Sequence, residues 1–323
     1  MIITRTPLRV SFAGGGTDFR DFYKDYGGQV VSTAINKYIY VIVKKRFDDR
    51  IYVGYMHKEI VSAVNDIQHD LVRETMKLAG ISSGVEIVIL ADIPSSGSGL
   101  GSSSSLTVGL LNALYNYRGK AVEPEKLARE ACQVEIDILG KPIGIQDQYI
   151  AAYGGFKHIY FAPDDAVQVH ELNLDAAARD RLAKKLLLIY TGKTRKAEGI
   201  LAKQRQKIHM SISVLLAMKE QAAELKQALE GGDFDYLGQM LGRAWENKKK
   251  LADNISNNEV DKLYKTGIRS GATGGKLCGA GGGGFLLFYC PPEKQPDLRK
   301  TLNGYTELTF DFESKGTEVI FTE

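Results

Sequence analysis

The apolar and polar positions along the chain alternate between two periods. Residues 2–13, IITRTPLRVSFA, read as a strand running into a cluster of glycines. Residues 30–47, VVSTAINKYIYVIVKKRF, are rich in β-branched and aromatic side chains and read as a long strand. RIYVGY (50–55) then reads as its hairpin neighbour through Asp48 and Asp49. Residues 69–81 have helical spacing, and the apolar run 84–94 reads as a buried strand stopped by Pro94. Leu106, Leu110, Leu114 and Tyr117 recur at i, i+4, i+8 and i+11, so a helix opens inside the serine run 102–105. A second helix over 124–140 has Pro in its first turn and Gly at its end. GIQDQYIAAYGG (144–155) reads as a short helix or turn, followed by the strand FKHIYFA.

The pattern loosens around 165–185. With 323 residues the chain is long for one core, so a boundary is expected there, giving units 1–175 and 176–323. The second unit begins with a strand at 185–192. Residues 195–232 read as a long helix or helical hairpin, with Ile208, Ile212, Leu215, Leu225 and Leu229 as its apolar stripe and Gly231 as its cap. Another helix covers about 233–252. The strands GFLLFYC and GTEVIFTE, with EKQPDLRKTL as a helix between them, complete a second α+β unit, and no repeat period appears.

Charge and composition narrow the partners. Net charge is +3 with Lys and Arg scattered, which argues against a nucleic-acid partner. Cys132, Cys278 and Cys290 form neither a disulfide framework nor a zinc spacing, and the five histidines show no ligand spacing. No leader-like segment and no apolar run of membrane length appears, so no membrane partner is expected and a cytoplasmic location is. The helical faces give no exposed apolar patch from which an oligomeric state could be read.

The one compositional excess is glycine, 34 residues concentrated at 13–18, 97–101 and 274–284. Glycine-rich loops let backbone N–H groups approach an anion. In 94–105 a strand leads in and a helix leads out. Pro94, Gly97, Ser98, Gly99, Leu100, Gly101, Ser102, Ser103 and Ser104 therefore read as a phosphate-binding loop with the helix dipole behind it. It is neither a Walker A motif, lacking GK[ST], nor a dinucleotide fingerprint. The serine hydroxyls offer oxygen to Mg2+. Gly279, Gly281 and Gly284 formally spell G-x-G-x-x-G, but a strand follows. That loop reads as a plain hairpin, or as one shaped to lie against a ligand or the other unit's loop. Asp18 reads equally as the N-cap of the helix after it.

In order, PLRVSFAGGGTD, PSSGSGLGSSSS and KLCGAGGGGF resemble the three motifs of the GHMP small-molecule kinases, which include galactokinase, homoserine kinase and mevalonate kinase. The resemblance spans residues 7 to 285. It implies an α+β fold with two domains, one like ribosomal protein S5 domain 2 and one ferredoxin-like, and ATP in the cleft between them. Galactokinases carry a Glu twelve residues before a catalytic Asp. Glu135 and Asp147 stand in that register, so the resemblance makes Glu135 with Ser103 the Mg2+ ligands, Asp147 the base and Arg9 its neighbour. Without that register, Glu135 would read as a surface residue and Asp147 as a helix cap.

Gly14, Gly15 and Gly16 replace the Gly-Glu-His of galactokinases. AGGGTD is closer to the sugar 1-kinases acting on D-glycero-D-manno-heptose 7-phosphate, and more distantly to fucokinases. The implied activity is ATP- and Mg2+-dependent phosphorylation of an anomeric hydroxyl, in the supply of nucleotide-activated heptose. Gly15, Gly16, Thr17 and Asp18 would then face the sugar, with Gly281 and Gly282 opposite. A catalytically inactive binder of sugar and ATP is the alternative of another class. A phosphorylated sugar also needs cations, and Lys193 or Arg195 is expected to hold its distal phosphate, unless both are solvated charges at a helix start.

Overall fold

The computed structural model describes residues 1–94, 97–194 and 197–323. β1 (Ile2–Ala13) and β2 (Gly28–Lys45) pair antiparallel along nearly all of β1, with the short helix α1 (Arg20–Tyr26) between them. β3 (Ile51–Gly54) and β4 (Lys58–Val61) form a hairpin, and after the helix α2 (Asp70–Ala79) comes β5 (Val85–Ala91). The expected hairpin between β2 and β3 does not form. β5 inserts between them, antiparallel to β2 and parallel to β3. The central helix α3 (Ser102–Tyr117) follows. It is buried around nearly its whole girth from Ser104 to Tyr115, so it lies inside the core.

The helix expected over 124–140 has two parts. α4 (Pro124–Cys132) continues into a π-helical turn, Gln133–Ile138. After α5 (Gln146–Tyr153), β6 (Phe156–Phe161) pairs with the first part of β2, and β7 (Val167–Glu171) pairs with β6. The 18-residue β2 thus carries β6 and β5 end to end along one edge.

The helix α6 (Ala176–Ala183) leads to a second, four-stranded antiparallel sheet in the order β11-β8-β10-β9. Its strands are β8 (Leu186–Tyr190), β9 (Gly274–Leu277), β10 (Phe285–Tyr289) and β11 (Thr306–Leu308). The long helix or helical hairpin expected over 195–232 consists of two helices, α7 (Ala197–Gln206) and α8 (Ile212–Glu230), parted at 207–211. α9 (Asp235–Lys249), α10 (Asn258–Arg269) and α11 (Gln295–Thr301) complete this half. The last strand, β12 (Glu318–Thr322), was expected in the second unit. It returns instead to the first sheet and pairs antiparallel with residues 2–5 of β1.

The two halves are fused by apolar packing. Leu225, Leu237 and Leu287 belong to the same buried cluster as Val10, Val31 and Leu110. A second cluster around Trp245, Leu263 and Phe288 lies wholly in the later half, apart from Phe19 and Phe22. The two halves therefore share one continuous buried apolar cluster.

α3 lies close against the first sheet at Gly109. A Cβ there would stand 2.7 Å from Thr6 Oγ1 and 3.6 Å from Val41 Cγ2. Alanine's better helix propensity, about 1 kcal/mol, would offset part of that clash, so valine is the cleaner probe. Gly109→Val is expected to lower unfolding free energy by about 1–3 kcal/mol, read as a fall in the urea midpoint at unchanged slope.

Candidate active site

The loop between β5 and α3 is held from outside by its carbonyls. Ser98 O accepts from Phe285 N–H (3.2 Å), Gly99 O from Arg9 Nη1 (2.6 Å) and Leu100 O from Arg9 N–H (3.0 Å). Gly97, Gly99 and Gly101 have φ of 71°, 79° and 81°, a conformation that favours glycine. Alternating handedness of this kind turns successive N–H groups to one side. Gly101 is the N-cap of α3 and no side chain caps the helix. Its first turn, Ser102–Ser104, lines a cavity of about 420 Å³ in the cleft. A 16-residue helix opening uncapped on a cavity suits a phosphate group. The loop also meets the third glycine cluster directly. A Cβ on Gly99 would lie 2.5 Å from Cys278 O, and one on Gly279 2.4 Å from Gly99 Cα.

Behind the first turn of α3 sits Glu135, carried by the π-helical turn and fully buried. Ser103 Oγ donates to its Oε1, and Gln148 Nε2 to its Oε2 at 2.7 Å. Lys141 Nζ lies 4.0 Å from Oε1. Burial pushes the Glu135 carboxyl above its ordinary value, while Lys141 and the hydroxyl and amide donors pull it back. A hydroxyl and a carboxylate in contact beside a phosphate loop are the hard oxygen donors that Mg2+ takes, so the residues fit that ion. Among the described residues no cluster of three His, Cys, Asp or Glu side chains could hold a metal unaided. Phosphate oxygens and water would have to complete the coordination, as is usual for Mg2+.

Asp147 is not a helix cap. α5 starts after Ile145, and the Asp147 carboxylate is gripped in a fork by Arg9, Nε to Oδ1 at 2.7 Å and Nη2 to Oδ2 at 2.6 Å. Burial would lower the Arg9 guanidinium, but Asp147 more than compensates and Arg9 stays above its ordinary value. One arginine thus binds Asp147 and Gly99 O together, which fixes the carboxylate against the phosphate loop.

Asp18 does not cap α1 either, because Phe19 occupies that position. Its Oδ1 accepts from Gly16 N–H (2.8 Å), and its Oδ2 from Gln146 N–H (3.3 Å) and Nε2 (3.1 Å). Burial raises its carboxyl above the usual range. Gly15, Gly16 and Asp18 line the cavity, with Gly15 beside Ser11 and Gln146. Ser11 Oγ and Gln146 Oε1 are buried and have no hydrogen-bond partner among the described residues.

Several expected site residues stand elsewhere. Thr17 donates to Gly14 O and Gln29 O, so it braces the glycine turn from behind. Leu100 is in the core and Pro94 is exposed; neither lines the cavity. Gly281 and Gly282 lie against Ile255, whose carbonyl accepts Gly282 N–H at 2.8 Å, and Gly279 and Ala280 face the cavity in their place. Lys193 is exposed and pairs with Glu259 at 2.6 Å, off the cavity wall. Arg195 lies outside the described residues.

Three cavity cations went unnoticed in the sequence: Lys141, Lys248 and Lys276. Lys248 Nζ, from α9, donates to Leu277 O (3.2 Å) and Gly279 O, and Lys276 Nζ, from β9, to Phe12 O (3.1 Å). Burial pulls their ammonium groups down to about 7 and about 8. Lys248 opens a run of three lysines that reads as a solvated helix face, and only the turn of α9 shows which one points inward.

Known proteins share this organisation. Family models for the GHMP kinases N terminal domain and the GHMP kinases C terminal domain match residues 60–155 and 225–304. A D-glycero-alpha-D-manno-heptose 7-phosphate kinase of Campylobacter jejuni is 33% identical over 98% of both chains. An L-fucokinase/L-fucose-1-P guanylyltransferase of Bacteroides fragilis is 29% identical over 92% of this chain and 35% of its own. Among solved structures, a D-glycero-D-manno-heptose 1-phosphate kinase from Bacteroides thetaiotaomicron superposes with a TM-score of 0.83 at 26% identity, covering all of both chains. A putative sugar kinase from Campylobacter jejuni gives 0.80 at 32%, over 98% of this chain and 97% of that one. The chain therefore belongs to the GHMP kinases, ATP-using phosphotransferases with an alcohol group as acceptor.

Proposed function

We propose that this kinase phosphorylates the anomeric C1 hydroxyl of a sugar phosphate, D-glycero-D-manno-heptose 7-phosphate, giving the 1,7-bisphosphate for nucleotide-activated heptose synthesis. The observation that carries the reading is the Arg9–Asp147 fork. It stands between an uncapped phosphate loop and a buried cup lined by Asp18, Ser11 and Gln146. The end-to-end match to a heptose 7-phosphate kinase supplies the choice of acceptor.

Each residue then has a definite task. The amides from Gly97 to Ser104 hold the phosphates, and Ser103 with Glu135 would hold Mg2+. ATP supplies the phosphoryl group, and Mg2+, when bound, would offset negative charge on its phosphates. Asp18, fixed by Gly16 and Gln146, accepts a hydrogen bond from a sugar hydroxyl and orients the ring. Asp147 accepts a hydrogen bond from the C1 hydroxyl. Phosphoryl transfer asks for little early proton removal. Asp147 therefore aligns the hydroxyl and takes its proton late, as the new P–O bond forms. Arg9 fixes Asp147 relative to Gly99.

A panel of acceptors assayed by ADP release checks the reading. Heptose 7-phosphate should give the highest kcat/KM, above L-fucose, galactose and mevalonate, and a clear preference for any of these three would sink it. Asp147→Asn should cut kcat by about 10²–10⁴-fold while leaving the KM for ATP within a few-fold. Ser103→Ala should raise the Mg2+ concentration for half-maximal rate by about tenfold or more. An unchanged Mg2+ titration would remove Ser103 from the metal.

A further inference from the structure

We propose that Lys248 is a further catalytic residue: the cation that contacts the phosphoryl group as it passes from ATP to the acceptor, brought to the phosphate loop by the opposite half of the molecule. The proposal rests on the phosphotransferase reading above, with Asp147 receiving the acceptor hydroxyl. It holds whichever sugar that acceptor is.

The first ground is what the loop lacks. Residues 94–105 contain no lysine or arginine, whereas a Walker loop brings its own lysine to the phosphates. A helix N-terminus alone offers only about half a positive charge. Four cations line the cavity: Arg9, Lys141, Lys248 and Lys276. Arg9 commits Nε and Nη2 to Asp147 and Nη1 to Gly99 O. Lys141 lies within 4.0 Å of carboxylate oxygens of both Glu135 and Asp70. Lys248 and Lys276 bond backbone carbonyls, and among the described residues neither makes an ion pair.

The second ground is position, which separates these two lysines. Lys248 Nζ donates to Leu277 O at 3.2 Å and to Gly279 O. Gly279 packs on the phosphate loop so tightly that a Cβ on it would stand 2.4 Å from Gly99 Cα. On the other side of the loop, a Cβ on Gly101 would stand 3.5 Å from Asp147 Oδ2. A phosphoryl group held by the loop and facing a hydroxyl on Asp147 therefore lies where Gly99, Gly101 and Asp147 meet, beside Lys248. The charge of Lys248 is felt by that of Asp147 and Arg9 in turn. Lys276 donates instead to Phe12 O at 3.1 Å, three residues beyond Arg9 on β1.

The third ground is the cost of placing a lysine there. Leu241, Ala244, Trp245 and Lys248 succeed one another on the buried stripe of α9, and Lys248 is 8% exposed. Its ammonium has three N–H donors. Two meet carbonyls, and the third has no acceptor among the described residues, although the side chain lines the cavity. Carbonyls carry no net charge, and an unpaired buried ion costs several kcal/mol. Burial, then the neighbouring Lys276 and Arg9, pull the ammonium down to about 7. Negative charge on an arriving phosphoryl group favours the protonated form again. An apolar side chain would continue the stripe without that penalty.

In the transfer, the acceptor oxygen bonds to the γ-phosphorus. The bond from that phosphorus to the bridging oxygen breaks, its electron pair leaves with ADP, and the hydroxyl proton passes to Asp147. Lys248 exchanges no atom or electron. It donates a hydrogen bond to an oxygen of the phosphoryl group and offsets the charge spread over it.

The test pairs turnover with binding of a mimic of the group in flight. Lys248→Met should lower kcat by about 10²–10³-fold, with KM for the sugar within about threefold. In the presence of Mg2+ its affinity for ADP should stay within about threefold of wild type, while its affinity for ADP with aluminium fluoride falls by about as much as kcat. Lys248→Arg should recover most of the lost affinity for the fluoride complex. An unchanged kcat would overturn the proposal. So would equal losses for ADP with and without fluoride, which would make Lys248 only a clamp on the Gly279 loop. A raised KM for the sugar at unchanged kcat would overturn it too and put the lysine on the acceptor. Should the variants fail to fold, a crystal structure of wild type with ADP, Mg2+ and aluminium fluoride decides. Lys248 Nζ should lie within about 3.2 Å of a fluoride, and a lysine left on its two carbonyls without such a contact would overturn the proposal. Absence of ADP release with every sugar would bring down the acceptor reading alone, because the fluoride measurements judge the lysine without turnover.

Discussion

Three consecutive carbonyls, those of Ser98, Gly99 and Leu100, each receive a donor from outside the phosphate loop, and the site depends on that arrangement. Two of the donors belong to Arg9 and the third to Phe285. A loop this rich in glycine has little conformational preference of its own. Fixing its carbonyls outward commits its amides to the cavity, and it does so using both halves of the molecule. The remaining hydrogen-bonding capacity of Arg9 goes to Asp147. The residue that shapes the anion site thus also sets where the acceptor hydroxyl must come. Distances between reacting groups are a property of one side chain rather than of a hinge.

The charges around the cavity divide into two kinds. Glu135, Asp147 and Asp18 are each tied to at least two donors, so they are held in place before any ligand arrives. Pre-organisation of this sort is what phosphoryl transfer requires, because its barrier is lowered mainly by position and charge. Lys248 and Lys276 are of the other kind, held in place but not neutralised. The glycine contacts between Gly99 and Gly279 belong with the first kind. They bring two backbones closer than any side chain would permit.

How much of this could be read in advance varied with the range of the interaction. β5, the loop and α3 were legible because an apolar run, glycines and leucines at helical spacing follow each other directly. Glu135 was legible only through its register with Asp147 in a known family; nothing in the composition of α4 separates it from surface glutamates. The position of β3 was not legible, because its parallel partner β5 is chosen by packing across an intervening helix. Lys276 was hidden in a run of glycines and Lys248 in a run of lysines, where burial depends on helix phase and on what the other half brings. Gly281 and Gly282 share the composition of Gly279 but not its neighbour, and sequence pattern carries no information about neighbours. β12 was assigned to the sheet nearest in sequence, while its partner lies at the opposite end of the chain.

That last pairing has a consequence for how the molecule comes into being. Residues 318–322 complete the edge of the sheet begun by residues 2–5, and the whole second sheet is threaded between β7 and β12. During synthesis the first half emerges with that part of β1's edge unpaired, and it stays so until residues 318–322 have been made. Closing so large a loop is slow compared with local helix formation. The free edge of β1 is therefore a waiting template during biosynthesis, open to whatever strand reaches it first.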